Sequence, residues 1–152
     1  MMIRDLRTDD IAACIEIVRS NWGDEVAAKA TLEMKHAFLS GMVWPPIYFV
    51  AEENGKICGF AGMMESWIMH GVWDFIWINI SREHQMKGLG RALTEHRIAE
   101  VKRRGGSLIH LMTKRVGFFE KMGFQRIVTY GGDNCWSMMS CQLCTIDLPT
   151  VM

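Results

Sequence analysis

One junction constrains the fold of this 152-residue chain more than any other. The run Val72 to Ile80 is dense in aromatic and β-branched residues and reads as a central strand. Shortly after it, Gln85-Met-Lys-Gly88-Leu-Gly90 opens the segment Gly88 to Arg104, which reads as a helix closed by Lys102, Arg103 and Arg104 before Gly105-Gly106. A long strand passing through glycines into a helix predicts a sheet with helices laid on its faces.

The flanking segments agree. Ile3 to Leu6 reads as a short strand, and Thr8 is placed to cap a helix with Ile11, Cys14, Ile15 and Val18 on one stripe. Asp24 is placed to cap a second helix carrying Ala27, Ala30, Met34 and Phe38, with Gly41 just beyond it. Pro45 and Pro46 then forbid helix. Ile47 to Glu52 and Ile57 to Glu65 flank Asn54-Gly55, a strong hairpin signal, and a turn at His70-Gly71 follows Trp67 to Met69. Beyond the long helix come a strand at Ser107 to Met112, a short helix at Val116 to Met122 stopped by Gly123, and strands at Gln125 to Thr129 and Trp136 to Leu143. The expected fold is a single mixed α/β domain over residues 1–152, with about four helices flanking a sheet of about seven strands.

Composition removes several classes of function. Apolar residues make up 49% of the chain and charged residues 22%, enough for one sizeable core and too little bias for disorder or a coiled coil. Lys plus Arg and Asp plus Glu number 17 each, so no net field gathers nucleic acid or an anionic membrane, and any anion site must be local. No apolar run reaches the length of a membrane span, because His70, Asp74 and Asn79 break the longest stretches. Five scattered cysteines without a signal-like N-terminus point to the cytoplasm. Cys141 and Cys144 have a metal-like spacing, but on an expected strand they face opposite sides, and no metal is expected. The thirteen methionines read mainly as core filler.

The glycine-rich junction carries the chemistry. At a helix N-terminus successive backbone N–H groups face outward, and Gly88 and Gly90 let an anion approach closely; a pyrophosphate suits such a site. Arg82, Lys87 and Arg91 add cations nearby. Alternatively, the glycines serve only the strand-to-helix turn. A dinucleotide fold is excluded by the missing third glycine and the missing acidic residue after Ser107 to Met112, and no Walker pattern is present.

Two motifs together resemble the GNAT superfamily of acetyl-CoA-dependent N-acetyltransferases. Gln85 to Gly90 is similar to its Gln/Arg-x-x-Gly-x-Gly/Ala pyrophosphate loop, and Phe118-Phe-Glu-Lys-Met-Gly-Phe124 resembles its Phe-Tyr-Glu-Lys-Leu-Gly-Phe segment. The element order resembles the family's from Ile3 to about Leu143. The resemblance implies a mostly antiparallel sheet, acetyl-CoA as cosubstrate, and an amine acceptor, either a small molecule or a protein amine. It places the pyrophosphate on backbone N–H groups of Met86, Gly88, Leu89 and Gly90, within a loop that also holds Gln85, Lys87 and Arg91. The pantetheine arm would pair against about Ile78 to Ile80, where backbone donors also polarise the thioester carbonyl. A homodimer is left open.

The amine must lose a proton before or during attack, and Asp74 is the candidate base. It lies eleven residues before Gln85, between Trp73 and Phe75, at an offset similar to that of the glutamate base in the histone-acetyltransferase branch. The plainer reading is a polar residue on the exposed face or bonded to a neighbour. Glu83 and His84 are substitutes, and His110 reads as a core histidine. Phe119 stands where the family often has a tyrosine that protonates the departing thiolate, so a CoA-binding or protein-interaction domain without catalysis is the alternative function. Trp22, Asp24, Glu25, Glu33 and Trp44, within Asn21 to Trp44, fall where the family covers its acceptor, and they read equally as caps and core.

Overall fold

The computed structural model describes residues 1–132 and 135–143; Cys144, the second member of the cysteine pair, lies outside them. Seven strands form one sheet: β1 (Met2–Asp5), β2 (Ile47–Glu53), β3 (Lys56–Glu65), β4 (Val72–Ile80), β5 (Leu108–Thr113), β6 (Gln125–Tyr130) and β7 (Trp136–Gln142). Their spatial order is β1-β2-β3-β4-β5-β7-β6, antiparallel throughout except for the parallel pair β4 and β5. The four helices are α1 (Ile11–Trp22), α2 (Asp24–His36), α3 (Leu89–Arg103) and α4 (Val116–Glu120).

Alternation along the central strands builds two cores. Phe49, Ala51, Ala61, Met63 and Phe75 pack with Leu93, Val101 and Phe119 from α3 and α4. Their neighbours Tyr48, Val50 and Phe60 point the other way and pack with Cys14, Val18, Ala27, Ala30 and Met34 from α1 and α2. Both faces of the middle of the sheet are therefore covered, which is why β2 to β4 read as nearly continuous apolar runs. Met34, Met63 and Met139 are fully buried within these cores.

Element ends depart from the sequence reading where local hydrogen bonds compete. Thr8–Asp10 forms a 3-10 turn before α1, and the Asp10 carboxylate accepts from the Arg7 amide at 2.8 Å and from Arg4 at 2.7 and 3.0 Å. Arg4 also donates to Glu52, which ties the start of α1 to β2. Helix α2 stops at His36, short of Gly41, because Ala37, Phe38 and Leu39 bond to carbonyls three residues back and Phe38 and Leu39 stay exposed. At the end of α4, Gly123 (φ +90°) donates to Glu120 and Phe124 donates to Phe119, a Schellman closure. The contact that accompanies such a closure is present, with the Phe119 and Phe124 rings 5.5 Å apart. Gly123, Phe119 and Phe124 thus all serve the helix termination.

Candidate active site

The sheet opens at its centre. Strands β4 and β5 are in register from Val72↔Leu108 to Phe75↔Leu111, and no pairing continues, although β4 runs on to Ile80. Among the described residues, the β4 edge facing β5 has no strand partner from Ile76 onward. An irregularity in β4 begins at the same point: Ala61 pairs with Ile78 and Gly62 with Ile76, so Trp77 is an extra residue, held at φ +42°.

Two side chains hold this bulge from opposite faces. On the α2 side, the Trp77 indole N–H donates to Glu33. On the α3 side, the wholly buried Arg97 donates to the carbonyl of Gly62 at 2.9 Å and to that of Ile76 at 3.4 Å. Its guanidinium lies 4.1 Å above the Phe75 ring and also bonds the Thr94 hydroxyl. Arg97 thereby occupies carbonyls next to the bulge, and its burial pushes its pKa down to about 9. Close packing fixes the bulge further, since a Cβ at Gly62 would meet Tyr48 at 2.6 Å and Ile76 at 2.9 Å.

Residues 85 to 90 form the turn expected of the junction. Met86 (φ +59°) and Gly88 (φ +83°) are both left-handed, a conformation that directs successive amides toward one side. The α3 ladder opens with Ala92 donating to Gly88, which leaves the amides of Leu89, Gly90 and Arg91 outside it. Gln85 Nε2 donates back to the Ile80 carbonyl at 3.1 Å, and Asn21 donates to the same carbonyl at 2.9 Å. Leu89 is buried and can offer only its main chain, Met86 is almost fully exposed, and Arg91 is ion-paired with Glu95. A Cβ on Gly90 would stand 3.8 Å from Phe118 and 3.9 Å from Ile78. The loop, the free end of β4 and helix α4 therefore meet around Gly90.

Asp74 points away from Phe75 and so toward the α1 and α2 face. It shares a cross-strand row with Met64 on β3 and His110 on β5. Burial raises its pKa while the His110 imidazole opposes the rise. Among the described residues, no hydrogen bond or ion pair engages its carboxylate. His110 is accordingly half-buried beside Asp74 and not enclosed in the core. Phe119 is buried, with its ring edge-on to those of Phe118 and Phe124. Glu83 pairs with Lys56, and His84 turns toward Cys58; neither is brought to Asp74.

Of the residues expected around the acceptor, Trp22 donates to Asn79 at 2.8 Å and Glu33 accepts from Trp77, so both brace β4. Asp24 pairs with Arg19, Glu25 is exposed, and Trp44 is part of an exposed loop. Arg97 and Trp77 belong to no sequence motif, and Asn79 shows in the sequence only as a polar break in an apolar run; a basic or amide residue inside an apolar helical or strand pattern is the available signal for Arg97 and Asn79.

A sequence model described as an acetyltransferase (GNAT) domain matches residues 45–126. The chain belongs to the GNAT acetyltransferase family, and its mostly antiparallel seven-stranded sheet with four helices has that family's fold. A GNAT-family acetyltransferase structure from Desulfovibrio desulfuricans aligns over 94% of this chain and 99% of its own, with a TM-score of 0.82 and 22% identity. The ribosomal-protein-S18-alanine N-acetyltransferase of Escherichia coli aligns over 97% of each chain at TM-score 0.75 and 21% identity. The PaiA N-acetyltransferase of Thermoplasma acidophilum, solved with coenzyme A, aligns over 93% of this chain and 98% of its own at TM-score 0.73 and 20% identity. No curated protein sequence matches this chain significantly. Among the described residues, no helix is long and apolar enough to cross a membrane.

Proposed function

We propose that this chain transfers an acetyl group from acetyl-CoA to a primary amine by direct attack through a tetrahedral intermediate. The observation that carries the reading is the opening between β4 and β5 beside the glycine loop. It offers unpaired main chain for an amide-bearing arm and, at the start of α3, free amides for a pyrophosphate. Met86, Gly88, Leu89 and Gly90 would supply those amides, with Gln85 holding the loop to Ile80 and Lys87 adding positive charge, while Arg91 would have to exchange Glu95 for the pyrophosphate. The pantetheine arm would lie along Ile78 to Ile80.

Asp74 is the proposed general base. Among the described residues no hydrogen bond or ion pair competes for it, and burial keeps its pKa above the ordinary carboxylate value, closer to the range useful for proton transfer. The proton passes from the ammonium to Asp74, directly or through a water. The neutral nitrogen attacks the thioester carbonyl, and main-chain donors at the free end of β4 stabilise the oxyanion. Collapse of the intermediate breaks the carbon–sulfur bond and expels the CoA thiolate, while the attacking nitrogen gives up its second proton to water to leave the neutral amide. Phe119 has no proton to give, so the thiolate leaves as such or takes its proton from water.

Phe119 also favours the second reading, a CoA-binding domain of the same fold without turnover. The deciding experiment measures thiol release from acetyl-CoA with small amines, polyamines and peptides bearing free N-termini or lysines. Amine-dependent release supports the transferase, whereas acetyl-CoA binding without release on any acceptor supports the binding domain.

A further inference from the structure

Outside the opening, three side chains with metal-binding atoms converge at the far end of the β2–β3 hairpin. Cys58 Sγ lies 3.4 Å from His84 Nε2, and His84 Nε2 lies 3.5 Å from Glu53 Oε2. All three ligand atoms fall within 4.8 Å of one another. The backbone makes this happen: Ala51 pairs with Gly59 and Glu52 with Ile57, so Cys58 is an extra residue in β3. Such a bulge re-aims a side chain, and it turns Cys58 toward the 3-10 turn Arg82–His84 that leads into the glycine loop.

We propose that Glu53, Cys58 and His84 form a binding site for a zinc-class divalent ion, which fastens the β2–β3 hairpin to the connection between β4 and α3. Zinc bonds of about 2.0–2.3 Å at tetrahedral angles place ligand atoms about 3.3–3.6 Å apart. The Cys58–His84 and His84–Glu53 separations already have these lengths. A hydrogen bond orients the imidazole for coordination. Ser81 Oγ lies 2.7 Å from His84 Nδ1, and with that hydroxyl accepting from Nδ1–H the lone pair sits on Nε2. Binding releases one proton, from the Cys58 thiol to solvent, and the thiolate and carboxylate then neutralise the ion's two charges. Thiolate and imidazole select zinc over magnesium or calcium. Glu53 is 43% exposed and His84 16%, so the ion enters from the Glu53 side and water completes the tetrahedron. The connection it holds begins the loop that positions Gly88 and Gly90, so the ion stiffens that loop from outside.

The test uses the full chain carrying Cys135→Ser and Cys144→Ser, stripped with EDTA, so that neither of these thiols competes. One equivalent of Co2+ should produce a thiolate-to-cobalt charge-transfer band in the near ultraviolet, and one equivalent of Zn2+ should abolish it. Zinc at 100 times its dissociation constant should raise the melting temperature by roughly 5–10 °C. Cys58→Ser should remove the band. Glu53→Gln, at a half-exposed position that does not endanger the fold, should weaken zinc at least tenfold, and Ser81→Ala should weaken it about 10- to 100-fold. Absence of the cobalt band in the folded protein, or zinc affinity unchanged by Glu53→Gln, overturns the proposal.

Discussion

Asp74 and His110 stand opposite each other across the parallel β4–β5 pair, one row before the strands part. The carboxyl is held high by burial and lowered by the imidazole, so its protonation depends on both. As general base it must be deprotonated, and the rate should rise with pH through its raised pKa. Asp74→Asn should lower turnover about 10²- to 10⁴-fold near neutral pH while leaving acetyl-CoA affinity intact, with partial recovery at high pH where the amine deprotonates unaided. His110→Gln should move the acidic limb of the pH–rate profile to higher pH. A profile unchanged by both substitutions would remove the pair from the mechanism.

The same shift predicts a stability effect of definite sign. A carboxyl whose folded pKa exceeds its unfolded value binds more protons in the native state across the window between the two, so stability falls as pH rises through that window. Asp74→Asn should therefore raise the melting temperature relative to wild type above the window. The difference should fade as pH drops below the ordinary carboxylate value, as thermal melts across a pH series would show.

Acetyl-CoA should stabilise the wild type by roughly 5–10 °C at 100 times its dissociation constant. Gly88→Asp should abolish that shift by setting a carboxylate against the pyrophosphate. Because Gly88 is at φ +83° with open space around it, the substitution also carries a backbone cost of about 1 kcal/mol, visible without ligand. A larger shift with NADH than with acetyl-CoA would argue against the proposed ligand.

Phe119→Tyr places a hydroxyl on a ring packed edge-on against Phe118 and Phe124. A buried hydroxyl without a partner should cost about 1–3 kcal/mol in urea denaturation. If it reaches the sulfur, acetyl-CoA should restore the loss, and turnover should rise where thiolate departure is limiting. Destabilisation without such protection would show that the position serves only the core.

Arg97→Met tests the support of the bulge. It leaves the Gly62 carbonyl without the Arg97 donor and removes the cation above Phe75, for an expected loss of about 1–3 kcal/mol in a urea titration. The KM for acetyl-CoA should rise if the free end of β4 relaxes. An unchanged urea midpoint would mean that the Trp77–Glu33 bond and packing at Gly62 hold the bulge without Arg97.

The elements were legible in sequence because each rests on a local signal. Asn54-Gly55 sets the hairpin, the alternation of Tyr48 to Ala51 sets the strand faces, and the Gln85 to Gly90 junction with the Phe118 to Phe124 segment pointed to the family. Positive φ at Gly88 and Gly123 is a property of those residues in their own turns. By contrast, the end of α2 departs from the sequence pattern because Phe38, which continues the apolar stripe, stays exposed.

Tertiary structure alone decided the relations between distant segments. Strands β4 and β5 pair for four residues and then part, and a bulge at Trp77 needs Gly62 on the neighbouring strand to show itself. Arg97 reads as one more helix cation until α3 is laid across that bulge, where the carbonyls of Gly62 and Ile76 give a buried guanidinium its partners. Two further pairs are separated by long stretches of chain: Asp74 and His110 meet through strand register, Cys58 and His84 through the bulge in β3 and the turn that follows β4. Periodicity and turn chemistry act over a few residues and fixed the elements and their faces. Register, bulges and buried polar pairings arise between segments, so the folded sheet had to decide which side chains meet.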